Sequence, residues 1–354
     1  VCSSDLNYMN KITFYSLLVV ALVCIIGCDH KTNTSLNIAF YNVENLFDTI
    51  DNVNVSDEKY LPESEVPWTK DRFAHKLDNI SRVMKTIDPK GFPDLFGICE
   101  VENLGVIEDL IAHPDMSPAN YRVIHKDSPD ERGIDVALLY KPEIYTPIST
   151  QFIKPELWHT KDSVKTINRT RDILYSKGLV NKSDTLHLFI NHWVSRWGGQ
   201  AKTEPQRIQI ALTIKSFCDS ILKVDSHANI IIAGDLNDNP TDTSVYEVLS
   251  AKEVDSNPNP ENLYNLSINQ FLNGKGSLYY KSWDMFDQII VSGSMLRDGN
   301  NLQVMEADQL IYKESWMLYQ PKKGPARPSR TSSGKNYYGG FSDHLPVMVS
   351  IRIN

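Results

Sequence analysis

Little cysteine, no surplus of positive charge, no internal repeat and no apolar run of bilayer length: these absences narrow the class of this 354-residue chain before any motif is read. A formal net charge of −8 excludes a surface coated throughout in phosphate-binding Lys and Arg, and leaves only local basic patches. Of the five cysteines, two precede residue 28 and a third is Cys28 itself. Cys99 closes an apolar strand and Cys218 sits on an apolar helix face, so both read as small buried hydrophobes. One bridge between them is the most the chain allows, and a disulfide framework is excluded. Without repeats or low-complexity tracts, repeat architectures drop out as well. What is present is ordinary globular material, 41% hydrophobic and 23% charged, enough for one large domain or two modest ones.

The N-terminal segment reads as a targeting signal. Met9-Asn10-Lys11 opens a basic region, residues 12–27 form an apolar stretch of 16, and Cys28 follows Gly27. That stretch falls short of the ~20 residues of a membrane-spanning helix but suits a signal-peptide core. The small residue before Cys28 resembles a bacterial lipobox, which implies a lipidated Cys28 and a membrane-anchored lipoprotein of the cell envelope, periplasmic or on the cell surface. An uncleaved anchor and a plain signal peptide are the alternatives. The expected organisation is an extension and lipoprotein signal peptide over 1–27, a polar tether over 28–35, and one domain over 36–354.

Within that domain LNIAFYNV predicts a strand ending at Asn42, and further strands are predicted at DLFGIC, YRVIH, IDVALLY, LHLFIN, ANIIIAG, FDQIIVS and VMVSIRI. Phe73, Leu77, Ile80, Val83 and Ile87 recur at three- and four-residue steps, the mark of an amphipathic helix, and a second helix fits 206–223. Helices are too few for every strand to belong to a parallel βαβ unit. The pattern therefore predicts an α/β fold of two packed mixed β-sheets with helices outside.

The chemistry sits at strand ends. Asn42 in FYNVENLFD, Glu100 in GICEVEN, Asp235 and Asn237 in AGDLNDNP, Asp287 in WDMFDQIIVS, and Asp343-His344 in SDHLP each lie at or just beyond an apolar run, where a buried strand hands its next side chains to a cleft. Hydrolysing a phosphodiester needs charge neutralised on the phosphoryl oxygens, a positioned water and a stabilised leaving oxygen. Mg²⁺ takes few protein carboxylates, so Glu100 helped by Asp343 or Asn42 suffices to hold it. Asp235 can take a proton from water, and Asn237 can hold a phosphoryl oxygen without adding negative charge. A carboxylate such as Asp287 beside His344 favours the imidazolium, a donor suited to an anionic transition state. His192 in FINHWVSRWGG is a second histidine of this kind, Arg171 in NRTRDIL can fork onto a phosphate, and Trp283 can wall the cleft. Taken singly each has a plainer reading: a turn at Gly-Asp-x-Asn, a surface Arg171 paired with Asp172, Trp283 as core.

Taken in order, NVENLFD, GICEVEN, RGIDVALLY, NHWVSRWGG, GDLND, FDQIIVS and SDHLPV resemble the endonuclease/exonuclease/phosphatase superfamily over roughly residues 36–353. Its members include DNase I-like nucleases, exonuclease III-like repair enzymes, inositol polyphosphate 5-phosphatases and neutral sphingomyelinases. The resemblance implies a four-layer α/β sandwich and a Mg²⁺- or Mn²⁺-dependent phosphoesterase. It implies metal-site roles for Asn42, Glu100 and Asp343, a general base in Asp235, a phosphate and water holder in Asn237, an Asp287–His344 pair, a second histidine in His192 and a phosphate contact from Arg171. Nucleases of this superfamily often place a Tyr near RGIDVALLY, where this chain offers Arg132 and Asp135, and Asp135 is expected instead to orient His192.

Substrate choice rests with loops. Residues 313–340 carry Lys313, Lys322, Lys323, Arg327, Arg330 and Lys335 against a single Glu314, with Trp316, Tyr319, Tyr337 and Tyr338 interleaved, and lead into Asp343-His344. Basic plus aromatic suits a polynucleotide. The expectation is a nuclease with a phosphodiester substrate, a membrane contact through lipidated Cys28 and no protein partner implied. A phosphatase or lipid-headgroup phosphodiesterase of the same fold is the alternative among enzymes, and a non-catalytic surface-binding lipoprotein the alternative outside them.

Overall fold

Both faces of the first strand are apolar, and that dictates its place. In Ser35–Leu46, Leu36, Ile38 and Phe40 alternate with Ala39, Tyr41 and Val43, and all six are fully buried. Such a strand has to be covered twice. The computed structural model, which describes residues 35–161 and 164–354, covers it with a second sheet on one face and two helices on the other.

The first sheet runs Leu302–Val304, Val347–Ile353, Ser35–Leu46, Leu95–Val101, Asp135–Tyr140, Arg122–His125, with Leu310–Ile311 also on Val347–Ile353. The second runs Ala251–Lys252, Leu263–Asn265, Asp287–Ser292, Asn229–Asp235, Asp184–His192, Ile173–Val180, Tyr145–Ile153. Ser35–Leu46 is parallel to Leu95–Val101 but antiparallel to Val347–Ile353, and Asn229–Asp235 is parallel to Asp184–His192 but antiparallel to Asp287–Ser292, so both sheets are mixed. Ile38, Phe40 and Leu138 of one sheet meet Leu188, Ile190, Ile231 and Ile289 of the other.

Helix Lys70–Thr86, capped by the Thr69 hydroxyl accepting from Arg72 N, lays Leu77, Ile80, Val83 and Met84 on the outer face of the first sheet beside Leu104–Ala112. Full burial of such a side chain contributes about 1.5–3 kcal/mol, so four of them can dock a helix whose other face stays in water. Gln200–Val224 covers the second sheet with Ile210, Ala211, Ile214 and Cys218. Helix, sheet, sheet, helix is the expected four-layer α/β sandwich. Two differences from the sequence expectation concern helices: the short helix Leu104–Ala112 is additional, and the second long helix starts at Gln200 with Pro205 inside it. Pro205 removes one hydrogen bond near the helix start without ending the helix. Cys99 and Cys218 are free and buried in different cores, so the one possible bridge is not made. The apolar stretch, Cys28 and nearly all of the tether lie outside the described residues, among which no helix is long and apolar enough to cross a membrane.

Candidate active site

Asp235 ends its strand with His192 in register on one neighbouring strand and Asp287 on the other. Residues directly opposite on adjacent strands share a face, so the second sheet sets three functional groups in a row. Gly234 permits the close approach, since a Cβ there would lie 2.5 Å from the carbonyl oxygen of Asn191. Asp235 Oδ2 is 3.7 Å from His192 Nε2 and 3.8 Å from His344 Nε2. From the first sheet Asn42 Nδ2 donates to that same oxygen at 3.0 Å, while Asn237 N donates to Oδ1 at 3.0 Å. The carboxylate is thus held from both sheets.

The two imidazoles beside it are pushed in opposite directions. Burial would push His344 down, but Asp287, whose Oδ2 lies 2.6 Å from His344 Nδ1, and then Asp235 outweigh it and hold the imidazole well above its usual range. His192 is held well below that range, by burial first and then by the charges of Arg171, Arg132 and His344, and is neutral. Burial raises Asp235 to about 6, with His344 opposing and Asp287 adding. Environments that drive neighbouring pKa values apart are how a site separates its acid from its base.

Glu100 reaches the site by a distorted backbone. The register slips between Asn42 and Leu46 and again between Cys99 and Val101, and Glu44, Asn45, Glu100 and Asn237 have φ of 52°, 54°, 62° and 50°. A left-handed non-glycine residue costs on the order of 1–3 kcal/mol, so surrounding contacts must enforce these four. Glu100 Oε2 accepts from Asn45 N at 3.0 Å, and Oε1 faces His192 Nε2 at 3.8 Å. One carboxylate oxygen therefore keeps its lone pairs. With Asp343 and the second lone pair of Asn42 Oδ1, whose first takes Glu44 N at 2.9 Å, the donors are all oxygen and fit a hard divalent cation. His192 Nδ1 and Asp287 Oδ1 are buried without a hydrogen-bond partner, two further open valences in the same row.

Asp343 carries a partner that sequence reasoning missed. Arg330 donates to Asp343 Oδ2 at 2.5 Å and reaches Glu44 Oε1 at 3.4 Å. Glu44 also accepts from Thr331 N at 2.6 Å, and Lys76, 1% exposed, donates to Thr331 Oγ1 and Phe341 O. Burial and then Asp343 push Glu44 up to about 7, while burial brings Lys76 down to about 8. This group fastens the segment before His344 to the first strand.

Three expectations need correction. Arg171 is 5% exposed and its guanidinium is engaged, with Nε donating to His192 O at 3.2 Å, one terminal nitrogen to Asp130 Oδ2 at 2.9 Å and the other to Trp193 O, so it props the backbone under His192 instead of facing a phosphate. Asp135 does not orient His192; its Oδ1 accepts from Ser128 N at 2.8 Å and its Oδ2 lies 3.4 Å from His125 Nε2. Asn237 gives one N–H of its amide to Trp193 O at 3.1 Å, which orients the side chain and does not contradict the expected role. Trp283 carries Lys313 4.5 Å from its ring centroid and lines a 620 Å³ cavity to which none of Asn42, Glu100, His192, Asp235, Asp287 or His344 contributes. The basic segment is also partly spent on the protein: Lys335 pairs with Glu65, Arg72 covers Tyr337 and Arg82 covers Trp316. Tyr319 and Tyr338 stay 52% and 60% exposed.

A buried carboxylate held between two imidazoles whose pKa values are driven apart, with further carboxylate and amide oxygens close by, has the composition of a hydrolytic site. The sequence pattern of the Endonuclease/Exonuclease/phosphatase family matches residues 37–353, and the chain belongs to that family of hydrolases. No curated protein sequence matches it. Solved structures with the same fold include an endonuclease/exonuclease/phosphatase from Bacteroides vulgatus (16% identity, TM-score 0.53, 91% of this chain and 100% of that one) and the human Nocturnin catalytic domain with a bound sulfate anion (13%, 0.54, 91% and 96%). A mannosyl-6-phosphatase from Bacteroides thetaiotaomicron is similar to the same degree (14%, 0.53, 89% and 99%). At such identities the likeness shows the fold alone.

Proposed function

We propose that this protein is a Mg²⁺- or Mn²⁺-dependent phosphodiesterase whose substrate is a nucleic acid, tethered to a bacterial envelope. The observation that carries the catalytic reading is Asp235 Oδ2, less than 4 Å from both His192 Nε2 and His344 Nε2 and held by Asn42. Asp235 accepts the proton of the attacking water, and Asn42 and Asn237 N fix the carboxylate that does so. His344 offers its Nε2 proton to a phosphoryl oxygen as negative charge grows there, and Asp287 keeps it charged. Neutral His192 adds a donor without changing the charge balance. Glu100, Asp343 and Asn42 would hold the ion, which when bound neutralises phosphoryl charge and stabilises the leaving oxygen.

Support for a polymeric substrate comes from exposed aromatic and basic side chains on the segments that follow His192 and precede Asp343. Trp197, five residues after His192, is 90% exposed, and Tyr319, Lys322, Lys323 and Tyr338 are exposed on the segment before Asp343. Bases stack on such side chains at about 1–3 kcal/mol each. The test offers the protein plasmid DNA, RNA, inositol phosphates, a sugar 6-phosphate and sphingomyelin, with Mg²⁺ and then with EDTA. Metal-dependent cleavage of the polynucleotides is expected; turnover confined to monoesters or lipid rejects the nuclease, and no turnover anywhere rejects catalysis.

The tether rests on residues 12–28, where an apolar core ends at Gly27-Cys28. A single lipidated residue should then hold the chain on the membrane. In a bacterial host the protein is expected in the membrane fraction and Cys28→Ser in the soluble fraction or unprocessed. Identical fractionation of the two sinks this part of the proposal alone.

A further inference from the structure

A second group of ligating side chains stands apart from the catalytic row. His125 ends the strand Arg122–His125, Asp127 follows two residues on, and Asp135 opens the antiparallel partner strand. One ligand atom from each of the three lies within 4.8 Å of the other two. We propose that His125, Asp127 and Asp135 form a second divalent-cation site, for a first-row transition ion of the zinc class.

The unsatisfied groups point there. The His125 side chain is 2% exposed, yet its Nε2 has no hydrogen-bond partner. Asp135 Oδ2 is 3.4 Å from it, beyond the ~2.7–2.9 Å of a charge-assisted hydrogen bond. Asp135 Oδ1 is fixed by Ser128 N at 2.8 Å, which turns the other oxygen toward His125. Nearby, Asp172 is 2% exposed with both carboxylate oxygens buried and unbonded. Its pKa is raised by burial and by the charge of Asp135, against the pull of Lys154 and Lys126, neither of which donates to it. Buried acids around a bare imidazole nitrogen are short of a cation.

The spacing suits the ion. Zinc-to-ligand bonds of 2.0–2.1 Å put tetrahedral donors roughly 3.3–3.5 Å apart, the separation His125 and Asp135 already have. Asp127 stands 3.9 Å from the other ring nitrogen, Nδ1, and its side chain, 79% exposed, has the freedom to turn toward the Nε2 side and complete the set, its ligand atom lying within 4.8 Å of the others. Imidazole with two carboxylates favours zinc-class ions over Mg²⁺ or Ca²⁺, which prefer all-oxygen sites. Water fills what remains. The ion would staple the loop 126–134, whose Asp130 holds Arg171 and through it the backbone of His192 and Trp193.

Zinc and cobalt titrations of the metal-free protein test this, with bound equivalents counted after dialysis and melting temperature recorded. The protein should bind an equivalent that His125→Ala lacks and that Asp127→Asn holds at least about tenfold more weakly. Asp235→Asn should keep it, and the cobalt spectrum should lack thiolate charge transfer, which excludes the Cys99–His192–Asp235 group. If His125→Ala fails to fold, the exposed Asp127→Asn still decides by its affinity. Equal binding by the protein and Asp127→Asn, or loss of the equivalent in Asp235→Asn, overturns the proposal and leaves a plain His125–Asp135 ion pair.

Discussion

Asp235→Asn is expected to lower kcat by about 10²–10⁴-fold on any phosphoester the protein turns over, with KM little changed, if Asp235 is the general base proposed above, since a positioned base contributes that order of acceleration. An amide has one acceptor oxygen, so it keeps the bond from Asn42 or the bond from Asn237 N but not both, and it takes no proton from water. The pH profile separates this loss from a merely structural one. Asp235 is raised to about 6, so the base is ionised above that value and activity should fall as the pH drops through it. Residual activity in the variant should lack that acid limb. A variant retaining more than about a tenth of the rate, or the same acid limb, would remove Asp235 from its assigned role.

Asp287→Asn should act through His344. In the protein the imidazole is driven down by burial and up by Asp287 and Asp235, and the upward effects prevail. Remove the first of those charges and burial prevails, so His344 loses its proton at a lower pH than before. The alkaline limb of kcat should move toward neutrality, narrowing the pH range of activity from its basic side, with about a 10²–10³-fold loss near pH 8. Steady-state rates across pH, alongside the imidazole titration followed by NMR, measure both. An unmoved alkaline limb would mean that Asp287 does not set the charge of His344. The variant also unfolds more readily wherever His344 stays charged, since a buried imidazolium is left with weaker compensation.

Much of this was legible in the chain. The strands were, because apolar residues two apart on both faces can be satisfied only between two covering layers, as Ile38 and Phe40 against Ala39 and Tyr41 show. That Asp235, His192 and Asp287 stand at strand ends was legible too, because an acid, amide or histidine directly after a buried strand is a local signal, and the sheet register sets the three side by side. The segment over 313–340 was legible as basic and aromatic, but not as partly fastened to the protein through Arg330, Lys335 and Tyr337.

By itself, the sequence determined the layers, the strand ends and the kinds of side chain placed there, since these follow from hydrophobic period and local polarity. Tertiary structure alone decided what each of those side chains does. Asn42 meets Asp235 across 193 residues and His344 meets Asp287 across 57, and charge states set by burial and such distant neighbours are invisible in any window of sequence. The same holds for Arg171, committed to Asp130 41 residues away, and for Asp135, turned to His125 and away from His192. A guanidinium or carboxylate looks free in a motif; only packing shows which acceptors and donors have already claimed it.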